Sequence, residues 1–182
     1  MDELVLFIHV VGALGIAAAY TVDAAGLIGL RRATLGEQAR AWLITRRWVM
    51  VLGPISIGIV LLSGLYLTVV SWGPDAWILV SLGTLLGIAV IGGVLTGIPM
   101  ARLGPGIERA SGPLQEEVRR ALRSPALSIS ISMRISTTVG IVFLMVEKTD
   151  LLESLIAIAI AAAIGVGAGL AIRLRDRSVA VS

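Results

Sequence analysis

Five stretches of this chain stay apolar for about twenty residues or more, and that constrains the fold more than anything else in it. The hydrocarbon core of a bilayer is about 30 Å thick and an α-helix rises about 1.5 Å per residue, so each stretch can cross as a helix. The runs fall at 4–30, 48–71, 77–100, 127–146 and 151–172. They lack the alternation of period two that a membrane strand requires. The sequence therefore predicts an all-α integral membrane bundle of five transmembrane helices, a single transmembrane domain over residues 1–182. Composition points the same way: 57% of residues are hydrophobic and 15% charged, whereas a soluble domain carries about 25% charged residues.

The charges set orientation. A net charge of +3 invites a nucleic-acid reading, but no basic patch interleaved with aromatics supports one, so the expected partner is the lipid bilayer and not nucleic acid. The basic residues lie between the apolar runs. Arg31, Arg32, Arg40, Arg46 and Arg47 follow the first run, Arg102, Arg109, Arg119, Arg120 and Arg123 the third, and Arg173, Arg175 and Arg177 the fifth. The opposite side holds Lys148 beside Asp2, Glu3, Asp75, Glu147 and Asp150. Basic loops stay in the cytoplasm, which predicts the N-terminus outside and the C-terminus inside. Asp2 and Glu3 stand where a cleaved leader would be basic, so the first run reads as a span. The expected location is a bacterial cytoplasmic (inner) membrane, as a multi-pass protein.

Connections 71–75 and 147–150 are short turns, so spans two and three, and spans four and five, are expected as antiparallel hairpins with the first span apart. Asp150 can cap the fifth helix. A short amphipathic cytoplasmic helix is expected over 113–123. Its stripe of Leu114, Val118 and Leu122 would lie on the inner leaflet. Trp42 and Trp48 suit an inner aromatic belt, Trp72 and Trp77 an outer one. Small residues let helices approach closely in lipid. Gly83, Gly87, Gly93 and Gly97 on span three, and Gly165 and Gly169 on span five, are therefore expected at helix contacts, inside the bundle or, for span five, between copies of the chain.

Polar residues inside a membrane are costly and seek partners. Asp23 lies about seven residues, or about 10 Å, from the inner end of span one, and Arg134 sits at nearly the same depth in span four. They are expected to form an intramembrane ion pair. Ser130, Thr137 and Thr138 share the face of Arg134 and could meet its other donors. The pair reads as a device that fixes helix register, or as part of a gate. An arginine that never deprotonates relays protons poorly, which favours the first. His9 lies about 8 Å below the outer surface, with Tyr66 at similar depth and Glu153 nearer the surface. His9 is the chain's one histidine and cysteine is absent, so a single subunit cannot build an ordinary zinc or copper site. Haem needs only one axial histidine, with a second across a dimer or a methionine from Met50, Met100, Met133 or Met145 as the other ligand. The alternative is a histidine hydrogen-bonded to a neighbouring helix.

The opening Leu6-Phe7-Ile8-His9-Val10-Val11-Gly12-Ala13 resembles the first span of bacterial membrane proteins related to the copper-resistance protein D family. It is most similar to a branch that shares the His-x-x-Gly opening. The resemblance covers the hydrophobic layout, with His9 and Gly12 as its specific residues, and it implies metal or haem handling, with His9 as the copper or haem ligand. Relatives carry further histidines in later spans, which this chain lacks. No nucleophile–base set, phosphate loop or carboxylate pair is present, so no enzyme is expected. The readings that stand are small-solute or metal-ion transport, a haem- or copper-binding protein, and a structural or accessory subunit of a larger membrane complex. A transporter of five spans would need a homo-oligomer, and should have a cavity reaching Asp23 and Arg134.

Overall fold

The structure is a computed structural model and describes residues 2–178; the side chains of Arg173, Arg175 and Arg177, counted above in the basic tail, lie outside the described residues. Helix α1 is Asp2–Arg32 and α2 is Gly36–Leu67, which runs on as a π-helical turn at Thr68–Trp72. Helix α3 (Ala76–Gly92) passes through a second π-helical turn, Gly93–Gly97, into α4 (Ile98–Arg109). Helices α5 (Glu116–Leu122), α6 (Pro125–Glu147) and α7 (Leu151–Ser178) follow. Five segments are long and apolar enough to cross a membrane: Asp2–Arg32, Gly36–Trp72, Ala76–Arg109, Glu116–Glu147 and Leu151–Ile172. Among the described residues there is no strand, only an isolated bridge between Leu35 and Pro113.

Local chemistry ends the helices where turns are needed. Pro125 opens α6 after Ser124, where its missing N–H costs nothing. Lys148 ends α6 in the left-handed region at φ 51°. Asp150 Oδ1 then accepts from Glu153 N at 2.9 Å and caps α7. Gly73, at φ 76°, closes the first π-helical turn with its N–H donating to Thr68 O.

The helices pair differently from the expected layout. The first span does not stand apart: α1 packs along α2 through a connection of residues 33–35. Arginines that read as loop charges belong to the start of α2. Arg40 Nη1 donates to Ala110 O at 2.6 Å, and Arg47 pairs with Glu108 at 2.8 Å. Their long stems carry the charge to the helix ends and let the helix begin inside the basic stretch. Helices α6 and α7 form the second close pair, and α3 packs on both. Helices α2 and α3 share a tight turn, yet their backbones hardly approach one another.

The short amphipathic helix also needs correcting. It begins at Glu116, not near 113, because Pro113 bridges Leu35 and Leu114 N donates to Thr34 O. Leu114, Val118 and Leu122 are buried against Leu27, Leu30 and Ile107, so the stripe faces protein, not lipid. Arg31 holds this corner from α1, its guanidinium donating to Leu122 O and Ser128 Oγ. Trp77 is also interior, 4% exposed, with Trp72 tilted against it at 5.7 Å between ring centroids.

The glycines divide. A Cβ at Gly165 would fall 2.5 Å from Met133 Cα, and one at Gly169 would fall 2.6 Å from Ile129 Cα, so these two let α7 lie directly on α6. Gly83, Gly87 and Gly93 have nothing within 4 Å of such an atom, and Gly97 meets only its own helix. The expected helix contact on span three is therefore not made: its glycines face outward or border a cavity. Gly165→Ala is expected to destabilise the bundle clearly. Gly87→Ala is expected to be neutral or to gain up to about 1 kcal/mol from helix propensity. Thermal unfolding of the two variants in mild detergent checks this contrast.

Candidate functional site

The buried face of α1 repeats at helical spacing through Ile16, Tyr20, Asp23, Leu27 and Leu30. Asp23 is thereby turned inward and is 2% exposed. Arg134 Nη2 donates to Asp23 Oδ2 at 2.6 Å, joining α1 to α6. Arg46 Nη2 lies 2.6 Å from Asp23 Oδ1, joining α1 to α2. This second contact is an ion pair without hydrogen-bond alignment, and Arg46 Nη1 has no partner among the described residues. One carboxylate thus faces two guanidiniums, and the buried group carries one surplus positive charge.

Asp23 lies nine residues from the end of α1, Arg134 nine from the start of α6 and Arg46 ten from the start of α2. All three therefore sit about 14–15 Å in from the same end of the bundle. The Tyr20 ring lies under Arg134, with Cζ 4.9 Å from the ring centroid. Arg134 Nε donates to the backbone carbonyl of Ser130 at 3.4 Å.

The hydroxyls expected to serve Arg134 act elsewhere. Thr137 donates to Met133 O at 2.6 Å and Thr138 to Arg134 O at 2.7 Å, both within their own helix turn. Ser130 Oγ accepts from Thr96 Oγ1 at 2.9 Å and ties α6 to the second π-helical turn. Arg134's donors are met by the carboxylate and a backbone oxygen instead. Arg46, the second arginine, was not expected here. The signal for it is its distance from the α1–α2 turn: Asp23 lies eleven residues before Thr34 and Arg46 twelve after it, which is one level in an antiparallel pair.

A cavity of about 390 Å³ opens beside this cluster. Tyr20, Asp23, Arg46, Arg47, Thr96 and Arg134 supply its polar wall, and Gly92, Gly93 and Gly97 keep the opposite wall thin. Two donors in it lack partners, Arg46 Nη1 and the Tyr20 hydroxyl.

His9 is 6% exposed and lies toward the other end of the bundle. Its Nδ1 is 3.0 Å from Ser63 Oγ. Gly64 allows this approach, since a Cβ there would stand 3.1 Å from His9 Cε1. Tyr66 is 40% exposed and Glu153 is exposed, with neither bonded to His9. His9 lines a second cavity, of about 370 Å³, and of the methionines considered above only Met145 lines it too. One imidazole and one thioether fall short of the three or four ligands of an ordinary zinc or copper site. Among the described residues no group of three His, Cys, Asp or Glu could hold a metal ion. No cationic side chain lines this cavity to receive the propionates of a haem. The donor set therefore does not fit the metal or haem implied by the first-span motif.

Comparison with known proteins returns nothing: no family model, curated protein or solved structure matches this chain.

Removing the one buried carboxylate leaves two uncompensated guanidiniums, so Asp23→Asn is expected to cost about 3–5 kcal/mol of stability. Arg46→Met leaves one carboxylate facing one guanidinium and is expected to cost less than half of that. Thermal unfolding in mild detergent, with both variants beside the native chain, gives the comparison.

Proposed function

We propose that this chain is a carrier for small organic monoanions in a bacterial cytoplasmic membrane, with its N-terminus outside and its C-terminus inside. The observation behind this reading is the buried surplus charge. Two arginines share one carboxylate beside a cavity of about 390 Å³, and Arg46 Nη1 is left without a partner. A buried charge is tolerable only when compensated, and a bound monoanion would neutralise the cluster. Guanidinium and phenol donors suit an oxyanion. The remaining cavity wall is mostly carbon, which suits an apolar body on the anion.

The arrangement of charges favours the stated orientation. Arg31, Arg40, Arg47, Arg109 and Arg119 belong to helix ends at the end of the bundle nearer Asp23, while Asp2, Glu3, Asp75 and Asp150 belong to the other. A layer formed by Ile16, Val60, Leu85, Ile88 and Ile141, with Tyr20, lies between the arginine cavity and the His9 cavity. Such a layer would close the path beyond a cavity open toward the basic end, as an alternating-access carrier requires. The second π-helical turn borders the arginine cavity, and such turns recur where helices carry function.

Benzenesulfonate, ionised at every working pH, is a suitable probe, with benzenesulfonamide as its neutral counterpart. In phosphatidylcholine proteoliposomes the native chain is expected to take up labelled benzenesulfonate and not the sulfonamide. Arg46→Met is expected to lower uptake at least tenfold. Uptake no faster than in empty liposomes, or equal in Arg46→Met, would contradict the reading. Tight co-purification of an anionic phospholipid, lost in Arg46→Met, would instead identify the anion as a lipid headgroup.

A further inference from the structure

The second cavity has a different chemistry and does not depend on the anion reading. Its wall is almost wholly carbon, yet three polar atoms in it are buried without a hydrogen-bond partner: His9 Nε2, Trp77 Nε1 and Ser81 Oγ. The three side chains are 6%, 4% and 6% exposed, respectively. They come from α1 and α3, whose sequence separation makes a chance cluster of unmet groups costly. Each such group costs about 1–3 kcal/mol when left unmet, so three around one space point to something that fills it.

The proton positions follow from the neighbours. Ser63 Oγ donates its proton to Ile59 O at 2.5 Å. The same oxygen must then accept from His9, which places the proton on Nδ1. With no carboxylate lining the cavity, the ring is neutral and Nε2 carries a lone pair. Trp77 Nε1 can only donate, and the Ser81 hydroxyl can do either. The cavity therefore offers an acceptor, a donor and one group of either kind.

That set selects the ligand. A carbonyl could accept from Trp77 but would leave His9 Nε2 unmet. An ammonium could donate to His9 but would leave Trp77 unmet. A hydroxyl does both at one oxygen. Around the mouth, Val10, Leu14, Leu65 and Val142 are exposed apolar residues of helices in the membrane-crossing set, so access is from the bilayer. The Trp72–Trp77 pair presents flat aromatic surface in the wall. We propose that this cavity binds a membrane-dissolved aromatic alcohol, of the phenol or quinol class, whose hydroxyl donates to His9 Nε2 and accepts from Trp77 Nε1. A space of about 370 Å³ lies within the range of about 300–1,000 Å³ that encloses small ligands.

Three probes separate the terms: 2-naphthol, which donates and accepts; 2-methoxynaphthalene, which only accepts; and naphthalene, which does neither. Binding is measured by equilibrium dialysis against the full chain in phosphatidylcholine nanodiscs, with empty nanodiscs subtracted. The native chain is expected to prefer 2-naphthol over 2-methoxynaphthalene by about tenfold, one hydrogen bond to a buried acceptor. His9→Phe is expected to erase that preference while keeping naphthalene binding. Trp77→Phe is expected to erase the advantage of 2-methoxynaphthalene over naphthalene while 2-naphthol keeps part of its lead. The native series and Trp77→Phe decide the matter even where His9→Phe does not fold. Equal binding of the three probes to the native chain, no binding at all, or an unchanged preference in His9→Phe would overturn the proposal.

Discussion

A carboxylate 2% exposed in the middle of an apolar bundle is the constraint around which the rest is arranged. Asp23 cannot stay charged there alone, so both of its oxygens face guanidiniums, one from α2 and one from α6. Those contacts set how far α1 can slide or turn against two neighbours. Room for the two large side chains comes from glycine. A Cβ at Gly26 would stand 2.7 Å from Arg46 Cγ, and one at Gly92 would stand 3.0 Å from Arg134 Cδ. The cavity next to the cluster then follows from the same geometry, because α2 and α3 stay apart where the guanidiniums lie between α1 and its neighbours.

Much of this arrangement is legible in the amino-acid sequence. Apolar run length is set by bilayer thickness, which acts on each span separately, so the five spans follow from local composition. The Asp23–Arg134 contact follows from depth, since helical rise is uniform and both residues lie equally far from the same side. Arg46 escapes such a reading because its stretch is dense in arginine and resembles an exposed loop. Charge density says which side a segment is on, but not whether the backbone there is already helical. Only once the turn is narrowed to 33–35 does counting from it put Arg46 level with Asp23.

Pattern alone is a poorer guide where a motif has two uses. Glycines spaced by four occur on both α3 and α7, yet only Gly165 and Gly169 meet a neighbouring backbone. A small residue permits close approach without requiring it, and the partner face is set by distant helices. The stripe of Leu114, Val118 and Leu122 likewise fits a lipid surface or a protein one. The bridge from Leu35 to Pro113 and the bonds of Arg31 decide for protein, and these are contacts of long sequence separation. Ser130, Thr137 and Thr138 share a face with Arg134, but a hydroxyl on a helix finds its own carbonyls more readily than a side chain further along.

The two cavities divide the bundle chemically. One has donors in excess and a surplus positive charge; the other is apolar, with a lone pair and a donor facing the same space. Both depend on α1, which carries Asp23 and His9 fourteen residues apart. In the first of them one carboxylate balances two arginines. Adding Arg46→Met to Asp23→Asn and following thermal unfolding in mild detergent tests that balance most directly. The double variant is expected to be more stable than Asp23→Asn alone, because the second change removes one of the two uncompensated charges. A double variant less stable by the full sum of the single losses would contradict it.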